Sequence, residues 1–263
     1  MNTAAVLRQT MWSGWTDLRM VYTPTTWAFG WMLRVLCQVV FYSMLGTLLD
    51  DPERTRYLLV GAAVFIAVTE TMMVSASTTW ERLSGTLSLL AAAPAGMVPV
   101  LAARSWFWAA SGTVSSSIAL LVLAPLFGLR IGFGTALALV PLIFATALTT
   151  YVLGLCCGSL ALRFHGMRNI FSNVTVMTMT ALCGVAVPTS FWPKGLQWFA
   201  EIFPAKHGLE AVRLLLAGGD AASVLVKVAA AFLAAAVWAV PTTLSLWWFE
   251  ANARRTGSID FGD

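Results

Sequence analysis

The sequence predicts an all-α membrane protein: six transmembrane helices, an interfacial helix before the first, a short amphipathic helix after the second, and a re-entrant helix pair before the last. Three observations carry this. Of the 263 residues, 59% are hydrophobic and only 11% charged, against about 25% charged in a soluble domain, so the chain lacks the polar surface that water demands. Six runs are apolar over close to the roughly 20 residues that a bilayer crossing needs. The stretch between the fifth and sixth runs is cut by prolines into pieces too short to cross. Mean hydropathy is +0.78, in keeping with a bilayer as the solvent.

Residues 1–25 form the first element. VLRQTMWSGWTDLRM sets Val6, Met11, Trp12, Trp15 and Leu18 at roughly helical spacing, with Arg8, Gln9 and Asp17 between them. A helix lying at the headgroups fits, because indole favours that depth. No apolar core follows a basic start, so the segment reads as retained rather than cleaved. Pro24 then turns the chain into the bilayer.

The spans run over residues 27–49, 57–76, 105–127, 132–160, 170–187 and 222–248, inside a transmembrane domain of residues 26–249 that precedes a tail of residues 250–263. An even number of crossings puts both termini on one side. With the N-terminus inside, eight arginines fall inside against seven Arg and Lys outside, so the positive-inside rule barely discriminates. The loop LRFHGMR, with two arginines and no acid, favours the inside.

Between the second and third spans lies TTWERLSGTLSLLAAAP, residues 78–94. Thr78 and Glu81 have capping-box spacing, which predicts a helix from Thr79 or Trp80. Trp80, Leu83, Leu87 and Leu90 share one stripe, while Glu81, Ser84, Gly85 and Ser88 take the other face and Pro94 ends the element. A small-residue polar face suits close contact with a partner protein; a plain interfacial helix would carry the same pattern.

Between the fifth and sixth spans, Pro188, Pro193 and Pro204 punctuate the chain, and residues 193–202 and 205–217 each read as one short helix. Two such helices can dip into the bilayer and return where protein or water satisfies their backbone. An interfacial surface hairpin is the alternative.

Charges in hydrocarbon cost about 2.5–3.5 kcal/mol on insertion scales and usually have a partner or a role. Arg34 and Glu70 lie at matching depth on adjacent antiparallel spans, which predicts an intramembrane charge pair; the alternative is that each snorkels or faces a wet cavity alone. Lys227 is close enough to a span end to snorkel. Gly154 and Gly158 in GLCCG have the spacing that lets helices approach closely, within the chain more readily than between chains. Cys37, Cys156, Cys157 and Cys183 lie in apolar runs with no metal-ligand spacing, so they read as packing residues and no metal is expected. His165 and His207 read as ordinary loop histidines.

Here the chain resembles the membrane permease of type-2 ABC transporters, the bacterial exporters of drugs, polysaccharides and lipid-linked sugars. Members carry E-R-x-x-G-T-L-x-x-L-x-x-x-P after the second span, matched by Glu81, Arg82, Gly85, Thr86, Leu87, Leu90 and Pro94. They also carry G-x-x-x-P near the end of the fifth span, then P-x-x-L-Q-W, a proline and an aliphatic-x-x-x-R. Gly184, Pro188, Pro193, Leu196, Gln197, Trp198, Pro204, Leu209 and Arg213 match these. Lys206 and His207 depart from the apolar or aromatic residues expected between them.

The resemblance implies that residues 78–94 form a cytosolic coupling helix, with Trp80, Glu81, Arg82, Leu83, Gly85, Thr86 and Leu87 docking on an ABC ATPase subunit. It implies a second permease copy or a related permease, an outer gate built on Gly184, Pro188, Pro193, Trp198, Pro204 and Arg213, and a pathway lined by the first, second and fifth spans. Trp31, Phe41, Met177 and Thr180 are candidate lining residues there. It also implies the bacterial inner (cytoplasmic) membrane with both termini cytoplasmic, surrounded by membrane lipids.

The engine lies elsewhere on this reading. No GxxxxGK[ST] loop is present to cradle nucleotide phosphates, so no cofactor is expected in this chain, and ATP and Mg belong to the partner ATPase. A net charge of +4, scattered along the chain, gives no nucleic-acid footprint. An ion-coupled secondary transporter is the competing class and would want several membrane acids, of which only Glu70 is available. A membrane-embedded enzyme would want clustered His, Asp or Glu, which the sequence does not offer.

Overall fold

A computed structural model describes residues 3–21, 23–83, 85, 96–164 and 168–256. Among them the chain is all-helical and has no strand. The helices are α1 (Thr3–Val21), α2 (Leu33–Leu48), α3 (Pro52–Thr71), α4 (Val74–Leu83), α5 (Met97–Ser105), α6 (Phe107–Leu123), α7 (Phe133–Arg163), α8 (Arg168–Leu182), α9 (Lys194–Ala200), α10 (Pro204–Leu216) and α11 (Ala221–Thr256). Among the described residues five stretches are long and apolar enough to cross a membrane: Thr26–Leu48, Pro52–Trp80, Met97–Phe127, Phe133–Leu162 and Ala221–Asn252.

Thr26–Met32 enters α2 as a π-helix, a widened turn that rarely persists for seven residues. The turn from α2 to α3 has a local cause. Asp50 takes a positive φ of 51°, Asp51 accepts from the N–H groups of Glu53 (3.0 Å) and Arg54 (3.1 Å), and Pro52 sits at the first helical position. At Gly46, a Cβ would stand 2.5 Å from the Thr55 Cα, so glycine there lets the two helices meet at the hairpin.

α3 is the central helix, and its residues 59–68 are buried throughout. It packs on α2, α6 and α7, and its Ala63 carbonyl accepts from the Ser116 hydroxyl of α6 at 2.8 Å. A turn at Met72–Met73 separates it from α4. α4 lies on α7, where Gly154 and Gly158 leave room for Val74, Ser75 and Thr78; the glycine pair therefore serves contact within the chain.

One end of the bundle, called the lower end, gathers distant segments. The Asp17 carboxylate of α1 pairs with Arg104 of α5 at 2.8 Å, and Arg104 also donates to the Ser13 hydroxyl at 3.1 Å. The Met97 N–H donates to the Glu250 carboxylate of α11 at 3.2 Å. Met97, Leu101, Leu162 and Leu246 form a small core beneath, joining α5, α7 and α11.

The expected fifth span is shorter than the sequence suggests. α8 has 15 residues, roughly 22 Å at about 1.5 Å per residue, and the chain leaves the helix at Cys183 and Gly184. Gly184 adopts φ +80°, which favours glycine, and its carbonyl accepts from the Tyr57 hydroxyl near the start of α3 at 2.8 Å. α8 thus runs from beside α7 at the lower end, where Phe164 and Phe171 meet, towards the upper end.

α9 and α10 form the expected pair of short helices around Pro204, which starts α10 rather than separating the two. The Trp238 indole of α11 donates to the Ile202 carbonyl at 2.8 Å. Trp238 is 17 residues past Ala221, so the elbow between α9 and α10 lies roughly 25 Å down α11 at about 1.5 Å per residue. α10 buries its early residues against α7; a Cβ on Gly208 would overlap Thr146.

Candidate functional site

The buried acid comes first. The π-helical turn ahead of α2 presents Trp31 to Glu70, which is 1% exposed and lies near the end of α3. The Trp31 indole N–H donates to Glu70 Oε2 at 3.1 Å, and the Ser111 hydroxyl of α6 donates to Oε1. Three helices therefore converge on one carboxylate. Arg34 does not touch it: the Arg34 guanidinium lies over the Trp31 ring, 4.4 Å from its centroid, and among the described residues no ion pair joins Arg34 to Glu70. A direct pair is replaced by a sandwich in which the indole separates cation from anion. Ser111 carried no signal in the sequence, because its partner lies 41 residues away.

Of the second set of motif residues, Gly184 meets Arg213 of α10. Its guanidinium donates to the Gly184 carbonyl at 2.7 Å and the Tyr57 carbonyl at 3.1 Å, and stacks on the Tyr57 ring at 3.5 Å. Gly61 on α3 leaves the space: a Cβ there would overlap the Val185 carbonyl. One planar cation thus ties the end of α8 and the α9–α10 hairpin to α3, as a fork of fixed donors allows and a point charge does not. Pro193 caps α9 and Pro204 opens α10, whereas Pro188 is exposed and Trp198 is 74% exposed, so these do not join the clamp.

The departures from the family pattern turn out to be buried. Lys206 is 5% and His207 7% exposed, which corrects the loop reading of His207. Lys206 pairs with Glu201, lies 3.6 Å from Glu210, and Glu210 pairs with Lys227 at 2.7 Å. His207 Nε2 lies 2.8 Å from the Glu201 carbonyl. Lys227 therefore does not merely snorkel; it closes a chain of alternating charges that links the elbow to α11. The i,i+4 spacing of Lys206 and Glu210 was the visible signal.

At the lower end Thr78 and Thr79 differ from the capping-box expectation. α4 begins at Val74, and the Thr78 hydroxyl donates back to the Val74 carbonyl at 2.8 Å instead of capping. Thr79 likewise donates to the Ala76 carbonyl at 2.7 Å. In mid-helix these hydroxyls have a carbonyl one turn back, which competes with the cap. The helix ends at Leu83, and Gly85 takes φ +70°, so residues 78–94 are not one unbroken helix. Trp80 is 38% exposed. Thr86, Leu87, Leu90 and Pro94, and the side chains of Glu81, Arg82 and Leu83, lie outside the described residues.

Of the candidate lining residues, Trp31 is committed to Glu70, Phe41 and Met177 are exposed on α2 and α8, and the Thr180 hydroxyl donates to its own helix at Val176. They do not converge on one cavity.

Long apolar helices around a buried acid and an arginine clamp define a multi-pass membrane protein. A family model described as ABC-2 type transporter matches residues 8–216, and the chain belongs to that family, the membrane component of such transporters. It is also similar to Nodulation protein J of Bradyrhizobium diazoefficiens, 32% identical over 119 residues, an alignment covering 44% of this chain and 44% of that protein. The chain thus spans under half the length of that relative. No solved structure matches it.

Proposed function

We propose that this chain is the permease subunit of an ATP-driven exporter, coupled to a separate ATPase and completed by a second permease half. ATP and Mg sit on the ATPase. The supporting observation is the convergence at the lower end: α5 packs on α4, holds α1 through Arg104 in its last turn and meets the end of α11 through Met97, on the side where the ERLSG segment leaves α4. Force applied to that segment reaches α7 through the Gly154 and Gly158 contacts.

On this reading the lower end is cytoplasmic in a bacterial inner membrane. α8 completes a crossing together with residues 183–188, because Gly184 reaches Tyr57 near the start of α3. Six crossings then bring both termini to one side. The α9–α10 hairpin is re-entrant from the outer face, its elbow charges neutralised by one another, and Arg213 is the clamp of the outer gate. An ion-coupled carrier fits less well, since each oxygen of Glu70 already accepts a hydrogen bond from protein.

The test is co-purification of the full chain from its native membrane with an ATP-hydrolysing subunit, followed by Gly85→Trp. Gly85 has a left-handed φ that a side chain resists, and it stands at the proposed contact. Vesicles carrying the variant should hydrolyse ATP without export. Normal export by the variant, or activity of the isolated chain without an ATPase, removes the reading.

A further inference from the structure

A cavity of about 740 Å³ lies between α1, the π-helical start of the first span and α6; Ser111, the donor to Glu70, stands on its wall, and the Arg213 clamp does not. Its walls are Trp15, Trp27, Trp106, Phe107 and Ala110, with Arg19 as the cation among them. It passes Thr23 and Pro24, both exposed. Arg19 is exposed, lies 5.3 Å from the Trp15 ring centroid, and has no carboxylate partner among the described residues. Arg104, by contrast, is paired with Asp17. A second cavity of about 710 Å³ shares the Trp15 and Trp106 walls and repeats the chemistry, with Arg8 as its cation. Arg8, Trp15 and Arg19 are spaced by 7 and 4 residues, one stripe of a helix.

An apolar slot with an unpaired guanidinium beside it calls for a ligand with a long hydrocarbon body and an anionic head. α1 is amphipathic and rich in indole, the composition of a helix at headgroup depth, where such molecules are present in bulk. The guanidinium fork matches a phosphate bidentately. We propose that the Arg19 cavity binds one anionic phospholipid, its phosphate on Arg19 and an acyl chain along Trp27, Trp106 and Phe107. The lipid fills the gap that α1 leaves against α6 and holds α1 to the bundle beside its protein joint at Arg104.

The test uses the full chain in neutral detergent, incubated with equimolar phosphatidylglycerol and phosphatidylcholine and read by native mass spectrometry. Wild type should retain phosphatidylglycerol in preference to phosphatidylcholine by about tenfold, because both carry the phosphate but the choline ammonium cancels the net charge that Arg19 attracts. Arg19→Gln should abolish the preference, while Arg54→Gln at the opposite end leaves it unchanged. Ala110→Trp, which fills the slot, should reduce retention of both lipids. Equal retention of the two lipids by wild type, or an unchanged preference in Arg19→Gln, overturns the proposal. So does wild-type retention by Ala110→Trp. Should Ala110→Trp fail to elute as a folded species, Arg19→Gln, a surface change, decides alone.

Discussion

At the scale of single residues, Glu70 shows how a membrane charge is kept. Its two oxygens accept from an indole and a hydroxyl on two other helices, so the acid acts as the node of a three-helix contact. Glu70→Leu should destabilise the chain by about 1–3 kcal/mol for each donor left without an acceptor, and Glu70→Gln by less, because an amide oxygen still accepts. Arg34→Gln should cost under about 1 kcal/mol, since the direct contact it loses is an exposed cation–π one and its attraction to Glu70 acts only at longer range. Thermal unfolding in detergent orders the three variants, and an Arg34→Gln loss as large as that of Glu70→Leu would restore the direct pair. Arg213→Lys should free residues 183–188, because an ammonium cannot hold the Gly184 and Tyr57 carbonyls while lying flat on the ring. Faster hydrogen exchange confined to that stretch is the expected reading.

At the scale of elements, the α9–α10 hairpin is held by shape as well as charge. Gly208 fits against Thr146, while nothing lies near the position of a Cβ on Gly195. Gly208→Leu should loosen α10 from α7, with a cost of about 1–3 kcal/mol typical of overpacking, and Gly195→Ala should be silent. Adding Thr146→Gly to Gly208→Ala should recover stability relative to Gly208→Ala alone, which limited proteolysis of the hairpin can follow. The elements legible in the sequence were those with periodic apolar faces or local punctuation. α1 was readable from its tryptophans, the short helix pair from Pro193 and Pro204, and the positions of five of the six expected spans from their apolar length, the fifth being the exception. The start of α4 was misread because a capping pattern at Thr78 and Glu81 looks the same whether the hydroxyl bonds forward to an N–H or back to a carbonyl.

At the scale of the whole molecule, the count of crossings decides where the C-terminus lies. Six crossings put Gln9 and Asn252 on one side and Asp51 and Gly218 on the other. In a cysteine-free background, Gln9→Cys and Asn252→Cys should resist a membrane-impermeant thiol reagent in intact cells, while Asp51→Cys and Gly218→Cys react. Labelling of Asn252→Cys from outside would mean that α8, with its 15 residues, does not cross. The convergence of α1, α4, α5 and α11 at the lower end belongs to this scale too, since only α4 and α5 among them follow one another in the chain.

Composition alone determined the solvent: a chain this apolar and this poor in charge has to bury its surface in lipid, and hydrophobic run length then sets where helices form. Local spacing determined the glycine contacts and the prolines of the hairpin. The tertiary structure decided the polar partnerships. That Trp31 stands between Arg34 and Glu70, that Arg213 reaches Gly184 and Tyr57, and that Lys227 ends a chain of charges running through the buried Lys206 depends on which helix faces are turned together. In hydrocarbon an unpartnered polar group is costly, and the partner is chosen by packing in three dimensions and not by distance along the chain.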